Sequence, residues 1–502
     1  MSVPMRDALV GVDLGTSVCK AFVFALDLSV LGSAWRTLPL STLSGSEIEQ
    51  DAEQWWSAAR DTVREAVAKS EVCPERVLGM SVSAQGISFV PVDGQGRPLR
   101  PAFSWMDTRA RPERLRILDH FGEPALFQIT GKRCLPSFVL PKLLWLREHE
   151  PATYAKTRRV LMPLDFLLAR MTGQFVTDHS MASGTLLHDV TTCDWSARIL
   201  DAFGLDRALL PQLRWGGTTA GRLLPRAAEE LGLPDSVIVA VGGQDQKAAA
   251  LGAGIGMERT TVSLGTAMAI TQKGVRPMVD SRMRMPCYTD LMEGKWVIEG
   301  SGDCCNILDW LRHGFLSSAG IDEVDRMVDQ EGPVPNPVSF FPFFSGAGSP
   351  YFVPGARGFL HGLDLSTDRG RIVRSIYEGV SYLIRDNIGV MEELSRPVKE
   401  LRVFGGGSRS AAWCQIIADV TGMPVSVLGI SEAASLGAGM LAGVGCGVFG
   451  RLEDAFPLVR AARTFLPRQN IMGAYQEAYR NYSEIRDRML APAGVKGDWN
   501  GE

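Results

Sequence analysis

The tripeptide Leu-Gly-Thr stands twice between β-rich apolar runs, at 14–16 in "ALVGVDLGTSVCKAFVFAL" and at 264–266 in "TTVSLGTAMAIT". The copies lie 250 residues apart, too long a period for a solenoid. A tight turn between strands presents several backbone N–H groups to one side. Glycine lets a phosphate approach that backbone closely, and Thr or Ser adds a hydroxyl donor. An acid at the end of the first run, Asp13, is suited to hold Mg²⁺ directly or through water. Either copy alone reads as an ordinary hairpin. Two copies at equivalent places, the first preceded by an acid, point to two related halves gripping a polyphosphate from both sides.

At 502 residues the chain exceeds one ordinary core, so two or three domains are expected. Its 52 basic and 56 acidic residues leave a net charge of −4 with no basic block, which argues against nucleic acid and anionic membrane as partners. Nine cysteines without framework or C-x-x-C spacing read as reduced thiols of a cytoplasmic protein. No long apolar run precedes the first acid of "MSVPMRDALVGVD", so no signal peptide is expected. Residues 433 to 450 form an 18-residue stretch without charge. Six of them are glycine, which fits a buried helix and turn better than a membrane span. No pair among the six histidines has zinc-ligand spacing.

Strands alternate with helical patterns, which predicts an α/β protein. A β-rich opening is followed by "DAEQWWSAARDTVREAVAK", where Asp51 with Gln54 resembles a capping box. VLGMSVS, FVPVD and VIVAV read as strands, and 111–231 as mostly helical. After the second Leu-Gly-Thr come a long helix at about 370–393, the strand LRVF, the loop GGGSRS, the helix AAWCQIIADVTG and the strand PVSV. The expected division is an N-terminal domain over 1–250, a C-terminal domain over 255–460 and a terminal helix over 465–490, with the boundary near 245–258.

The stretches "VGVDLGTSVCKAFVFALD", "IEQDAEQWWSAARDTV", "LPKLLWLREHEP", "MPLDFLLARMTGQFVTD", "VGGQDQKAAALGAG", "TVSLGTAM" and "VFGGGSRSAAWCQIIADVTGMPV" resemble, in order and over nearly the whole chain, the FGGY carbohydrate kinases, nearest their xylulokinase branch. The resemblance implies two actin-like, ribonuclease H-type domains flanking a deep cleft. It implies transfer of the γ-phosphoryl of ATP, with Mg²⁺, to a sugar hydroxyl, D-xylulose being the leading acceptor. Residue by residue, Asp13 matches the acid that organises Mg²⁺. Gly15, Thr16 and Ser17 match the first phosphate turn, and Gly265 and Thr266 the second. Asp245 matches the catalytic base. Gly405, Gly406, Gly407 and Ser408 match the adenosine loop, with Arg409 and Trp413 following in register. Asp245 also reads as a helix N-cap, in which case the helix terminus would keep its carboxylate ionised. Trp55 and Trp56 match the family but sit at core-packing positions of a helix.

The sugar-facing residues that the resemblance implies are Gln85, Gly86, Ile87, Trp105, Asp245 and Gln246. Gly86 and Ile87 stand where xylulokinases carry Met and His, and Gln246 where they carry Asn. "DQK" leans toward glycerol kinases, yet their Arg-Glu pair is absent, and "SGAGSP" replaces the usual Ser-Gly-Glu-Arg-Thr-Pro. Losing a histidine donor shifts specificity unless another group takes over. Three readings follow: a ketopentose kinase; a kinase for another ketose or polyol, such as ribulose, erythritol or glycerol; and an actin-like ATPase switch, against which an acceptor base at Asp245 argues. A homodimer is left open by the sequence.

Overall fold

The computed structural model describes residues 6–429 and 432–491. Two sheets organise it. In the first, the strands run in the order Thr219–Arg222, Ile238–Ala240, Val77–Ala84, Ala8–Leu14, Val18–Ala25 and Val30–Thr37. In the second, the order is Cys287–Thr289, Trp296–Asp303, Ala267–Gly274, Arg259–Leu264, Glu400–Phe404, Val425–Leu428 and Ala461–Phe465. Each sheet holds an antiparallel meander of three strands whose first strand runs parallel to the next in the sheet: Ala8–Leu14 beside Val77–Ala84, Arg259–Leu264 beside Glu400–Phe404. A further parallel strand follows in both. The two Leu-Gly-Thr turns therefore join the first and second strands of matching sheets, the arrangement of a two-domain actin-like fold.

Helix Ala52–Ser70 covers one side of the first sheet, capped by Asp51, whose side chain accepts the Glu53 N–H. Trp55 is fully buried, and the Trp56 indole donates to Glu230 at 2.6 Å, so both serve packing. The charge-poor segment supplies helix Ala433–Gly445, which lies against the first sheet and against helix Asp245–Gly252. Glycines make that approach feasible. A Cβ on Gly437 would stand 2.0 Å from Ala248 O, one on Gly252 1.9 Å from Ala433 O, and one on Gly11 2.1 Å from Ser435 O. Among the described residues no helix is long and apolar enough to cross a membrane.

The long helix Arg369–Leu394 backs the second sheet. The terminal helix runs Met472–Leu490 rather than from 465. Residues Ala461–Phe465 are drawn into the sheet beside Val425–Leu428, and Pro467 with the short 3₁₀ turn Gln469–Ile471 delays the helix. It is anchored through Tyr475, whose hydroxyl meets the buried Arg374–Glu378 pair at 3.0 Å from each.

Candidate active site

The first turn is closed by the Gly15 N–H donating to Val18 O at 3.0 Å. A chain of amides ties it to the sugar-facing segment. Gln50 Nε2 donates to Thr16 O at 2.8 Å, Gln85 Nε2 donates to Gln50 Oε1 at 2.8 Å, and the Gln85 N–H donates to Leu14 O at 2.9 Å. Ser17 is exposed, and its carbonyl accepts from the Leu38 N–H. The Trp105 indole donates to Thr16 Oγ1 at 2.8 Å, while buried Lys142 fixes the Trp105 loop by donating to Ser104 O at 2.7 Å. Burial pushes that ammonium down to about 7.

Asp13 sits near the end of its strand, next to the turn. Ser83 Oγ donates to its Oδ1 at 2.9 Å. Desolvation pushes its pKa up to about 6, against the hydrogen bond from Ser83 and the charge of Lys20. A carboxylate so crowded by protein gains from a nearby cation, and its hard oxygens suit Mg²⁺.

Asp245 opens helix Asp245–Gly252 as its first residue. The expected N-cap role falls to Gln244, whose side chain accepts the Lys247 N–H. Asp245 Oδ1 instead accepts the Gln246 N–H at 2.7 Å and a proton of the Gln244 amide. The expectation that the helix terminus keeps Asp245 ionised is corrected too. Desolvation, followed by the negative charge of Asp13, outweighs the Gln246 hydrogen bond and the Lys247 charge, and the pKa rises to about 7.

Asp245 lines a cavity of about 420 Å³ together with Thr16, Gln85, Gly86, Ile87, Trp105 and Gln246, all sugar-facing or first-turn candidates. Ile87 adopts φ +55°, uncommon for a β-branched residue. Leu135, Ser137, Phe138, Met181, Gly184 and Gln244 complete the first half's share, and the second sheet contributes Tyr288, Glu299 and Ser301. Sequence reasoning missed these last three. The one available signal was the acid of "WVIEGSG", a charge inside an apolar strand.

The second turn and the glycine loop lie side by side, at the ends of neighbouring strands. Gly265 O and Thr266 O accept from the N–H groups of Cys305 and Asn306, at 3.0 and 3.2 Å. Gly405, at φ +91°, brings the loop so near that a Cβ there would stand 2.8 Å from Leu264 O. Gly406 is exposed, and Gly407 is buried against Leu264 and Cys305. The Ser408 hydroxyl is spent on Gly405 O at 2.7 Å. Arg409 donates to Gly406 O at 3.4 Å. Trp413 is fully buried and stacked on Tyr377, ring centroids 4.6 Å apart, which makes it a core residue.

Two matched sheets, each bearing a Leu-Gly-Thr turn, with a half-buried acid between them, define an actin-like nucleotide-dependent phosphotransferase fold. Residues 8–252 match the N-terminal domain, and residues 260–446 the C-terminal domain, of the FGGY family of carbohydrate kinases. The chain belongs to that family, and as such is a sugar kinase that uses ATP. It is 30% identical to the xylulose kinase of Bacillus subtilis over 95% of this chain and 96% of that one. It is likewise 30% identical to the xylulose kinase of Escherichia coli, over 96% and 99%. The solved xylulose kinase of Rhodospirillum rubrum superposes with a TM-score of 0.88 at 26% identity, covering 97% of this chain and 99% of that one.

Proposed function

We propose that this kinase transfers the γ-phosphoryl of ATP to D-xylulose, giving D-xylulose 5-phosphate. The observation carrying the chemistry is Asp245, set in a cavity walled by both halves, with a pKa near the working pH of a general base. The choice of D-xylulose is supported by full-length relatives that bear that activity in their names. In this reading Asp245 accepts the proton of the attacking hydroxyl. The Gln244 and Gln246 bonds to its Oδ1 hold one carboxylate oxygen and leave the other to the acceptor. Trp105 and Gln85 shape the wall, and the turns at Gly15, Thr16 and Ser17 and at Gly265 and Thr266 take the phosphates from opposite sides. The Gly405–Gly406–Gly407 loop lies under the adenosine. The transition state is loose, so positioning and charge neutralisation do most of the work. Asp13 would hold Mg²⁺, which when bound supplies positive charge against the phosphates. The working compartment is the cytoplasm.

A second reading, another ketose or a polyol as acceptor, is favoured by Ile87 and Gln246, which depart from the xylulokinase pattern. The test is ADP release with Mg-ATP over a panel of D-xylulose, D-ribulose, erythritol and glycerol. Highest kcat/KM on D-xylulose supports the first reading. A polyol leading by tenfold or more replaces it by the second, and ADP release indifferent to every acceptor would return the chain to an ATPase switch.

A further inference from the structure

The second sheet places one carboxylate in the cavity wall, Glu299, and the first half braces it. Lys247 Nζ, on the helix that Asp245 opens, meets Glu299 Oε2 at 2.9 Å. The Lys247 side chain is 1% exposed and Glu299 13%, so the ammonium stands behind the wall and the carboxylate keeps a face toward the cavity. The same ammonium lies 3.5 Å from the Tyr288 ring centroid, and Lys132 Nζ lies 3.9 Å from it. Tyr288 and Glu299 are thus clamped from the first half while lining the cavity from the second. Lys132 is spent on Thr130 O and Cys287 O, at 3.0 and 2.9 Å.

We infer that Glu299, braced by Lys247, is a specificity-determining residue that accepts a hydrogen bond from an acceptor hydroxyl and restricts the site to neutral polyhydroxy compounds. The inference rests on reading this cavity as the acceptor site. A carboxylate offers about four acceptor positions, and Lys247 is the one side chain among the described residues that donates to it. Elsewhere the wall offers a hydroxyl only uncharged polar groups, the side chains of Ser137, Gln246 and Ser301 among them, and much of the rest is apolar or committed. Ile87, Leu135, Phe138 and Met181 are apolar, and the Gln85 and Gln244 amides are committed to Gln50 and to Asp245. A carboxylate accepts where an imidazole at position 87 would have donated, so the hydrogen bond to the acceptor runs in the opposite sense and comes from the other half of the molecule. It also sets the sign of the site. Glu299 faces the cavity with its balancing ammonium behind the wall, and Asp245 beside it is negative whenever it works as a base, so an acceptor carrying its own carboxylate meets like charge, which disfavours binding.

The test compares kcat/KM for D-xylulose, glycerol and D-gluconate in the wild-type protein, in Glu299→Gln, and in Lys247→Met/Glu299→Gln, which removes both charges and leaves none unpaired. The wild type should prefer its best neutral acceptor to gluconate by about 100-fold or more. Glu299→Gln should lose about 10–100-fold on the neutral acceptor, mainly through KM, and narrow the neutral-to-gluconate ratio at least tenfold. The double variant should narrow the ratio as well, and it decides the matter where the single variant fails to fold. Should neither variant fold, the wild-type ratio decides: gluconate used as well as the neutral acceptor overturns the inference. Ratios within twofold of wild type in a folded variant overturn it equally. Turnover of neutral acceptors with unmoved ratios sinks this inference alone, whereas absence of any sugar-dependent ADP release sinks the reading of the cavity on which it stands.

Discussion

Asp245 has a pKa of about 7, and the direction of that shift sets how activity must follow pH. A general base works deprotonated, so kcat/KM should be flat on the alkaline side and fall as pH drops through about 7, about tenfold per unit well below it. A limb centred near pH 4, where an ordinary Asp titrates, would mean that the base is a different group or is not desolvated during catalysis. Asp245→Ala should cost about 10²–10⁴ in kcat while ATP still binds, measured by turnover and by nucleotide titration. Near wild-type turnover in that variant would falsify the assignment. Ile87 invites a second residue-level change. Histidine is several times more frequent than a β-branched residue at φ +55°, so Ile87→His relieves backbone strain while adding a donor. Combined with Gln246→Asn it should raise kcat/KM on D-xylulose relative to polyols, and unchanged ratios would mean that these two positions do not read the acceptor. The first-half cavity residues named from the sequence cluster around short motifs, whereas Leu135, Ser137, Phe138, Met181, Gly184 and Gln244 carry no such signal. Gln85, Gly86 and Ile87 follow one strand end, and Asp245 and Gln246 open one helix. Tyr288, Glu299 and Ser301 were not legible either. They reach the cavity only through the way the second sheet docks on the first half, and no local pattern records a docking.

At the level of elements, the paired turns were legible as turns between strands because strand–turn–strand is local, with both ends of each turn in one window of a dozen residues. The glycine-rich helix was legible as buried but not in its location. Its partner helix and the strand of Gly11 lie about 190 and 425 residues earlier in sequence, a separation across which a charge-free pattern says nothing of what it packs on. Gly405 carries the next prediction. Its φ of +91° with ψ near 180° is a conformation that glycine alone takes readily, and a Cβ would press on Leu264 O beneath the second turn. Gly405→Ala should destabilise the fold by about 1–3 kcal/mol, seen as a lower Tm, and should raise KM for ATP more than for the sugar. Equal effects on both substrates would detach the loop from nucleotide binding. Thr16→Val and Thr266→Val test the turns themselves. Each keeps shape and removes a hydroxyl, and each should lower ATP turnover about tenfold or more if the hydroxyl bonds a phosphate, worth about 1.5–3 kcal/mol for a charged partner. Thr16→Val should also loosen Trp105, whose indole loses its acceptor, so its effect should spread to KM for the sugar where that of Thr266→Val does not.

For the whole molecule, the problem a kinase must solve is that water is a competing acceptor at about 55 M. The cavity is finished only when both halves contribute, with Asp245 and Ile87 from one and Tyr288, Glu299 and Ser301 from the other. An acceptor that bridges the halves gains contacts on both only as they draw together, while a water molecule bridges nothing. The helices at the junction suit such a motion. Asp245–Gly252 and Ala433–Gly445 touch backbone to backbone at Gly252 and Gly437, so a small slide or pivot of packed helices there is the shear kind of motion. We propose that the hinge lies there, in the 245–258 stretch and the helix against it. Adding the acceptor should therefore shrink the radius of gyration in small-angle scattering, and ATP hydrolysis without acceptor should run at least 100-fold below sugar-dependent turnover. Gly437→Leu, which drives a side chain into Ala248 O, should hold the two helices apart. It should lower kcat and raise KM together while Asp245 and its Gln246 hydrogen bond stay in place, and it should abolish the acceptor-dependent change in radius. A wild-type radius that does not respond to acceptor, beside normal sugar-dependent turnover, would show instead that the cleft is preformed and that water is excluded by the cavity walls alone.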